Sequence, residues 1–142
     1  MQKSLIDSGP LISLFDRSDF YHKPIVGFLK TYKGELYTSW AVVTEVSHML
    51  DFSLQAQLDF YEWISRGGLK IIDMPESSFA EIRELTHKYG DIPMDLADAS
   101  LLILSKKLKI EDIITLDSDY KIYRIGKKKI MNNLLDKFLK KK

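Results

Sequence analysis

Residues 4–11 read SLIDSGPL, an apolar run that ends at Asp7 and leads into a turn and the start of a helix. Leu5 and Ile6 indicate a short buried strand. Pro10 is suited to the first turn of a helix, because its missing N–H has no intrahelical partner there. In open α/β sheets, ligands bind outside the carboxyl ends of the strands. Asp7 is therefore a candidate site residue; as an alternative it is only a cap or turn residue, although Ser8 and Gly9 are able to cap the helix without it.

The rest of the chain alternates between strand-like and helix-like patterns. Further strands are predicted at 36–40, 69–72 and 112–116, and a short last strand at 121–125. Helices are predicted at 10–15, 21–32, 42–50, 54–64, 76–89, 95–108 and 134–139. This alternation favours an open parallel α/β sheet. With no internal repeat or linker, the sequence predicts one domain over residues 1–142.

Composition excludes several functional classes. The chain has no cysteine, so a disulfide scaffold, a thiolate zinc site and a cysteine nucleophile are ruled out. The first residues do not resemble a signal peptide, and no apolar run approaches the roughly 20 residues that cross a bilayer. We expect a soluble cytoplasmic protein that does not enter a membrane.

The charge of the chain is unevenly distributed. Residues 127–142, the lysine-rich tail, contain seven lysines and one acid and carry +6, whereas the remainder carries −5. The first three lysines are Lys127, Lys128 and Lys129. A basic tail of this kind attracts phosphate groups such as those of RNA, and the alternative is a solvated, partly frayed terminus.

A second acid follows a predicted strand. Residues 113–117 read IITLD, so Asp117 stands at a strand end as Asp7 does. The carboxyl ends of parallel strands meet at one edge of the sheet, and we therefore expect both side chains to enter one crevice. Asp119, two residues later, is interpreted as a turn residue or as a supporting residue behind the ligands.

Two further acids stand near predicted helix starts. Glu45 lies among Val42, Val43 and Val46, where a charge is costly unless a helix end or a polar pocket accommodates it. Asp95 and Asp98 open the most hydrophobic helix, with the spacing of a capping box. Capping explains Asp95 well, but Asp98 lies between two alanines, which suggests tight packing.

Taken together, these acids suit a hard metal ion. Clustered carboxylates raise one another's pKa unless a cation neutralises them, and oxygen ligands favour Mg²⁺ or Mn²⁺. Such an ion orients water and stabilises charge on a phosphoryl group, which points to phosphodiester hydrolysis. The histidines lack a zinc-binding spacing, and no glycine-rich phosphate loop or G-x-S-x-G motif is present.

Four segments resemble the motifs of PIN-domain nucleases, in the same order along the chain. They are residues 5–11 (LIDSGPL), 44–46 (TEV), 93–101 (PMDLADASL) and 114–120 (ITLDSDY). The resemblance implies a three-layer α/β/α domain with a central parallel sheet of four to five strands. It also implies an endoribonuclease that uses Mg²⁺ or Mn²⁺, with catalytic residues Asp7, Glu45, Asp98 and Asp117.

The short chain resembles most closely the toxin component of VapBC-type toxin–antitoxin modules. In that interpretation Asp7, Asp98 and Asp117 hold the metal, and Asp95 and Asp119 support them. The resemblance implies an RNA substrate, a small antitoxin partner and a homodimer. Two alternatives remain open from the sequence: a housekeeping PIN nuclease that processes RNA, and a non-catalytic binding module in which the acids are only caps.

Overall fold

A computed structural model describes residues 1–140 and contains one five-stranded sheet in which all strand pairs are parallel. The strands are β1 (Gln2–Ile6), β2 (Gly34–Ser39), β3 (Lys70–Ile72), β4 (Asp112–Ile114) and β5 (Asn132–Asn133). The helices are α1 (Ser8–Phe15), α2 (His22–Thr31), α3 (Trp40–Met49), α4 (Leu54–Ser65), α5 (Phe79–Lys88), α6 (Leu96–Leu108) and α7 (Leu135–Lys140). Short 3-10 turns lie at Glu76–Ser78 and Ser118–Lys121. The expected three-layer α/β/α architecture is confirmed.

The strand order β3-β2-β1-β4-β5 places β1 at the centre of the sheet. Leu5 and Ile6 of β1 are fully buried, as are Ile113 and Ile114 of β4, because helices cover the two central strands. The chain proceeds from β1 to β2 and β3 on one side, then returns to the other side for β4 and β5. The pair β1–β4 is therefore the point at which the strand order reverses, where α/β sheets form their ligand crevice.

The prediction of a last strand at 121–125 is wrong. Asp117 caps the 3-10 turn at Ser118–Lys121, and the following residues enter a tight turn in which Ile125 bridges Lys129 around Gly126. The fifth strand is β5 instead, which pairs with β4 and begins 11 residues after the predicted start at residue 121. The apolar residues at 122–125 are explained by packing, since the Tyr123 side chain is fully buried in the core.

The lysine-rich tail is largely part of the folded domain. Met131 and Leu135 are buried, and the Phe138 ring packs edge-on against Phe28 of α2 with ring centroids 5.3 Å apart. Residues 130–140 are thus held by apolar contacts rather than frayed. Lys141 and Lys142 lie outside the described residues. Over residues 1–140, no helix is both long and apolar enough to cross a membrane.

Two glycines provide a matched test of this packing. A Cβ at Gly34, at the start of β2, would overlap the carbonyl oxygen of Gln2 in the neighbouring strand β1. A Cβ at Gly27, inside α2, would make only an ordinary contact of 3.7 Å with Phe138. We expect Gly34→Ala to lower the free energy of unfolding by about 1–3 kcal/mol. We expect Gly27→Ala to raise it by about 0.5–1 kcal/mol, because alanine loses less backbone entropy in a helix.

Urea unfolding of both variants, followed by circular dichroism, checks this pair. A Gly34→Ala variant as stable as the wild type would contradict the close β1–β2 approach at this position.

Candidate metal centre

Three carboxylates from separate parts of the chain meet at the carboxyl edge of the sheet. Asp7 directly follows β1, Asp117 lies three residues after the end of β4, and Asp98 lies in the first turn of α6. One oxygen from each lies within 4.8 Å of the others. We call these three residues the acid cluster. The two strand-end acids, Asp7 and Asp117, thus lie in one crevice as expected from the sequence, and α6 supplies the third acid.

Asp7 is held by its own helix and by the neighbouring strand. Helix α1 begins at Ser8 rather than Pro10, so Asp7 is its N-cap and its Oδ1 accepts a hydrogen bond from the Ser8 amide at 2.8 Å. Its Oδ2 accepts a hydrogen bond from the Thr115 hydroxyl at 2.9 Å. Burial raises the pKa of Asp7 to about 6 against the effect of these hydrogen bonds, with smaller contributions from the charges of Asp117 and Glu45.

Asp98 combines a capping role with a place in the acid cluster. Its amide donates to Asp95 Oδ1 at 2.9 Å, and its Oδ2 accepts from the Asp95 amide at 3.2 Å, which completes the predicted capping box. The Tyr120 hydroxyl donates to Asp98 Oδ1 at 3.3 Å. Burial, followed by the negative charges of Asp7 and Asp95, raises the pKa of Asp98 to about 8.

Asp117 is the most open member of the cluster. Its Oδ1 accepts a hydrogen bond from the Asp119 amide at 2.9 Å, and its own amide donates to the Thr115 hydroxyl at 3.0 Å. Burial is the main cause that raises its pKa, and the charges of Asp119 and Asp95 add to it. Asp119 contacts the cluster through its backbone, as a turn residue does, and Asp95 through the capping box.

Glu45 lies beside the acid cluster rather than within it. The Ser8 hydroxyl donates to Glu45 Oε1 at 2.8 Å, and the carboxylate is near enough to Asp7 to contribute to its raised pKa. It is half-buried on α3 and does not belong to the three acids with mutually close oxygens. Its place suits contact with a water molecule or substrate next to the cluster.

The donor chemistry of the acid cluster fits a divalent cation. Within residues 1–140, none of the ion pairs involves these three carboxylates, so no lysine or arginine offsets their charge. Three buried or half-buried acids with raised pKa values are the situation that a hard cation relieves. Mg²⁺ lies about 2.1 Å from its oxygen ligands, so oxygens this close are able to share one ion directly or through water.

A family model for the PIN domain matches residues 4–128, which is most of the chain. The chain belongs to the PIN domain family. This confirms the resemblance that the four sequence motifs carry. No curated protein matches the sequence.

Solved structures that resemble this PIN domain include the following two. The toxin VapC20 of Mycobacterium tuberculosis, described as cleaving the sarcin–ricin loop, superposes with a TM-score of 0.75 at 13% identity, covering 83% of this chain and 92% of that chain. FitAcB from Neisseria gonorrhoeae gives a TM-score of 0.55 at 18% identity, covering 80% and 87%. At these identities the likeness establishes a shared fold.

The three lysines predicted to contact RNA are not brought to the acid cluster of the PIN domain. Lys129 forms an ion pair with Glu111, which directly precedes β4, whereas Asp117 follows the carboxyl end of that strand. Lys127 and Lys128 are exposed in the same turn. The three lysines therefore lie at the opposite edge of the sheet from the acids.

Sequence analysis missed the hydroxyl groups that orient the acids. Thr115 bonds both strand-end aspartates, Ser8 holds Glu45, and buried Tyr120 contacts Asp98. Burial, with the nearby charges of Asp7 and Asp98, raises the pKa of Tyr120 well above its usual value, so its hydroxyl stays protonated as a donor. A polar residue at the end of an otherwise apolar strand was the available signal for Thr115.

The raised pKa values predict how the stability of the metal-free PIN domain depends on pH. In the folded state the pKa of Asp7 is raised to about 6 and that of Asp98 to about 8, whereas both are about 4 in the unfolded chain. The folded state therefore binds more protons between pH 4 and 8, and its free energy of unfolding should fall as the pH rises through that range. Asp98→Asn should flatten this decline, because it removes the group with the larger shift.

Urea unfolding in EDTA at pH 5, 6.5 and 8 measures the effect, with exposed Asp91→Asn as the matched control. If the free energy of unfolding changes with pH equally in wild type, Asp98→Asn and Asp91→Asn, folding does not raise the pKa of Asp98 and the prediction is wrong.

Proposed function

We propose that this PIN domain is a metal-dependent endoribonuclease that hydrolyses RNA phosphodiester bonds. The observation that carries the proposal is the acid cluster: three carboxylates within 4.8 Å, without a basic partner among the described residues, at the point where the strand order of the sheet reverses. Family membership supports the same chemistry, because the four motifs that resemble PIN nucleases supply these acids.

Asp7, Asp98 and Asp117 would hold Mg²⁺ or Mn²⁺. When bound, such an ion neutralises the carboxylates, polarises the scissile phosphate and favours the ionised form of water. Glu45 flanks the ion site. Since its Oε1 accepts from Ser8, its orientation is fixed, and Oε2 is left to accept a proton from the attacking water or to bind the ion through water. Thr115 and Tyr120 keep Asp7 and Asp98 in place during the reaction.

We further propose that the enzyme is a VapC-like toxin inhibited by a small antitoxin. The fold shared with VapC20 supports this proposal. An exposed apolar surface on α3 and α4 offers a partner a docking face, since exposed patches of this kind mark protein interaction sites; it is formed by Met49, Phe52, Leu54, Leu58 and Tyr61. A cytoplasmic location remains a prediction.

A homodimer is the assembly we propose for the toxin. Trp40, Phe79 and Leu96 each expose about half of their surface beside a cavity of about 620 Å³ at the carboxyl edge of β2 and β3. These side chains provide apolar surface for a second copy of the chain, separate from the surface proposed for the antitoxin.

A non-catalytic binding module is the second candidate, and one observation favours it. Asp7, Asp95 and Asp117 each occupy an N-cap position and accept a backbone hydrogen bond there, and Asp98 completes a capping box, so capping alone gives all four acids a structural role. Capping does not account for the convergence of three of them from separate elements, which is why we favour the nuclease.

Removal of a cluster carboxylate should abolish RNA cleavage. We expect Asp7→Asn and Asp98→Asn to lower the cleavage rate with Mn²⁺ by about 100-fold or more, since the loss of even a supporting residue at a metal site costs 10–100-fold. EDTA should have the same effect on the wild type. Cleavage of a labelled single-stranded RNA measures this, with Asp91→Asn as the control that retains activity. A folded Asp98→Asn variant that cleaves as fast as the wild type would contradict the assignment of the acid cluster, whereas a folded wild type that neither cleaves RNA nor binds Mn²⁺ would favour the binding module.

Expression without an antitoxin separates a toxin from a housekeeping nuclease. We expect induced wild-type protein to arrest bacterial growth, and equal amounts of Asp98→Asn to leave growth unchanged. Normal growth despite an active, abundant wild-type enzyme would instead support a role in RNA processing.

A further inference from the structure

We propose that Asn133, on the edge strand β5, is a positioning residue for the acid cluster and acts through Thr115. This inference rests on the proposed function for its catalytic meaning, but the contacts themselves belong to the metal-free fold. Asn133 lies beyond residues 4–128, the part of the chain that the PIN model matches. The proposal therefore gives the lysine-rich tail, which contains Asn133, a role at the acid cluster.

The Asn133 side chain pairs with the backbone of Thr115 on both of its polar groups. Asn133 Nδ2 donates to the Thr115 carbonyl at 3.0 Å, and the Thr115 amide donates to Asn133 Oδ1 at 3.3 Å. Thr115 directly follows β4, which ends at Ile114. The asparagine amide thus extends the contact between the two segments to Thr115, two residues beyond Ile113 of the last ladder pair, and fixes the backbone of Thr115.

Thr115 transmits this constraint to the two strand-end acids. It is almost completely buried, and its hydroxyl donates to Asp7 Oδ2 while accepting from the Asp117 amide. A threonine side chain is stiff about its first torsion, so a fixed backbone also fixes the hydroxyl. One hydroxyl therefore holds the relative position of two of the three acids in the cluster.

Asn133 is itself anchored by the packing of the C-terminal segment. Its Oδ1 also accepts a hydrogen bond from the amide of Leu135, the fully buried first residue of α7. Its backbone pairs with Ile113 in the β4–β5 ladder. The apolar anchorage of residues 130–140 is thus connected to the acid cluster by a short path of hydrogen bonds, from Leu135 through Asn133 and Thr115 to Asp7 and Asp117.

The first test measures Mn²⁺ binding by calorimetry on the folded full chain. We expect Asn133→Ala to weaken the affinity by about 10-fold, the lower end of what is typical for residues that orient metal ligands. Asn132→Ala is the matched control, because this exposed neighbour bonds Asp112 at the other end of β4 and should leave affinity unchanged. An Asn133→Ala variant with wild-type affinity would overturn the proposal, even if its thermal stability were lower.

A double-mutant cycle tests the route through Thr115. Thr115→Val removes the hydroxyl and should weaken Mn²⁺ binding at least as much as Asn133→Ala. If Asn133 acts through that hydroxyl, adding Asn133→Ala to Thr115→Val should have little further effect. Fully additive losses would contradict the proposed route.

Amide hydrogen exchange of the metal-free protein separates this inference from the proposed function. The Asp117 amide donates its hydrogen bond to the Thr115 hydroxyl and not to Asn133. We expect it to exchange faster in Asn133→Ala than in wild type or Asn132→Ala, beyond any change in the slowest core amides. Unchanged Asp117 exchange would overturn the inference. Failure of the wild type to bind Mn²⁺ or cleave RNA would overturn the proposed function instead.

Discussion

The burial of three carboxylates, held with their oxygens within 4.8 Å of one another and without a basic partner among the described residues, is the constraint on which the rest of this structure depends. Burial is the largest cause of the raised pKa values of all three acids. Ionising these carboxylates therefore lowers the free energy of unfolding of the metal-free protein. The surrounding structure compensates with hydrogen bonds rather than with basic side chains. Each acid accepts a hydrogen bond from a backbone amide, and the hydroxyls of Thr115 and Tyr120 orient two of the acids.

The topology explains why acids distant in sequence converge. The central strand β1 pairs with β2 on one side and β4 on the other, so the residues after β1 and β4 enter one crevice at the carboxyl edge. Helix α6 brings its N-terminal turn, with Asp98, to the same crevice, and its continuous buried stretch, residues 97–105, fixes its position. The capping interpretation and the metal-site interpretation are therefore compatible, because the same helix ends that need caps also converge at the site.

Much of this arrangement was predictable from the sequence, for identifiable reasons. Asp7 and Asp117 follow short apolar runs, and strand-end acids in a parallel sheet must share an edge. The prediction that Asp98 and Glu45 are site residues depended on the family motifs, since helix capping and dipole effects explain an isolated acid equally well. The fifth strand was misplaced because β5 has only two residues, both asparagine, whereas the apolar residues near Tyr123 looked more like a strand. Contacts such as that between Asn133 and Thr115 join distant parts of the chain, and no local pattern encodes them.

The central claim is that the acid cluster binds a divalent metal ion. Its most direct test is a crystal structure of the protein with Mn²⁺, using anomalous scattering measured near the manganese absorption edge. The account predicts an anomalous peak bonded to oxygens of Asp7, Asp98 and Asp117, and no peak there in crystals of Asp98→Asn. Well-ordered crystals in which Mn²⁺ occupies only other positions, while the three carboxylates keep their places, would contradict it.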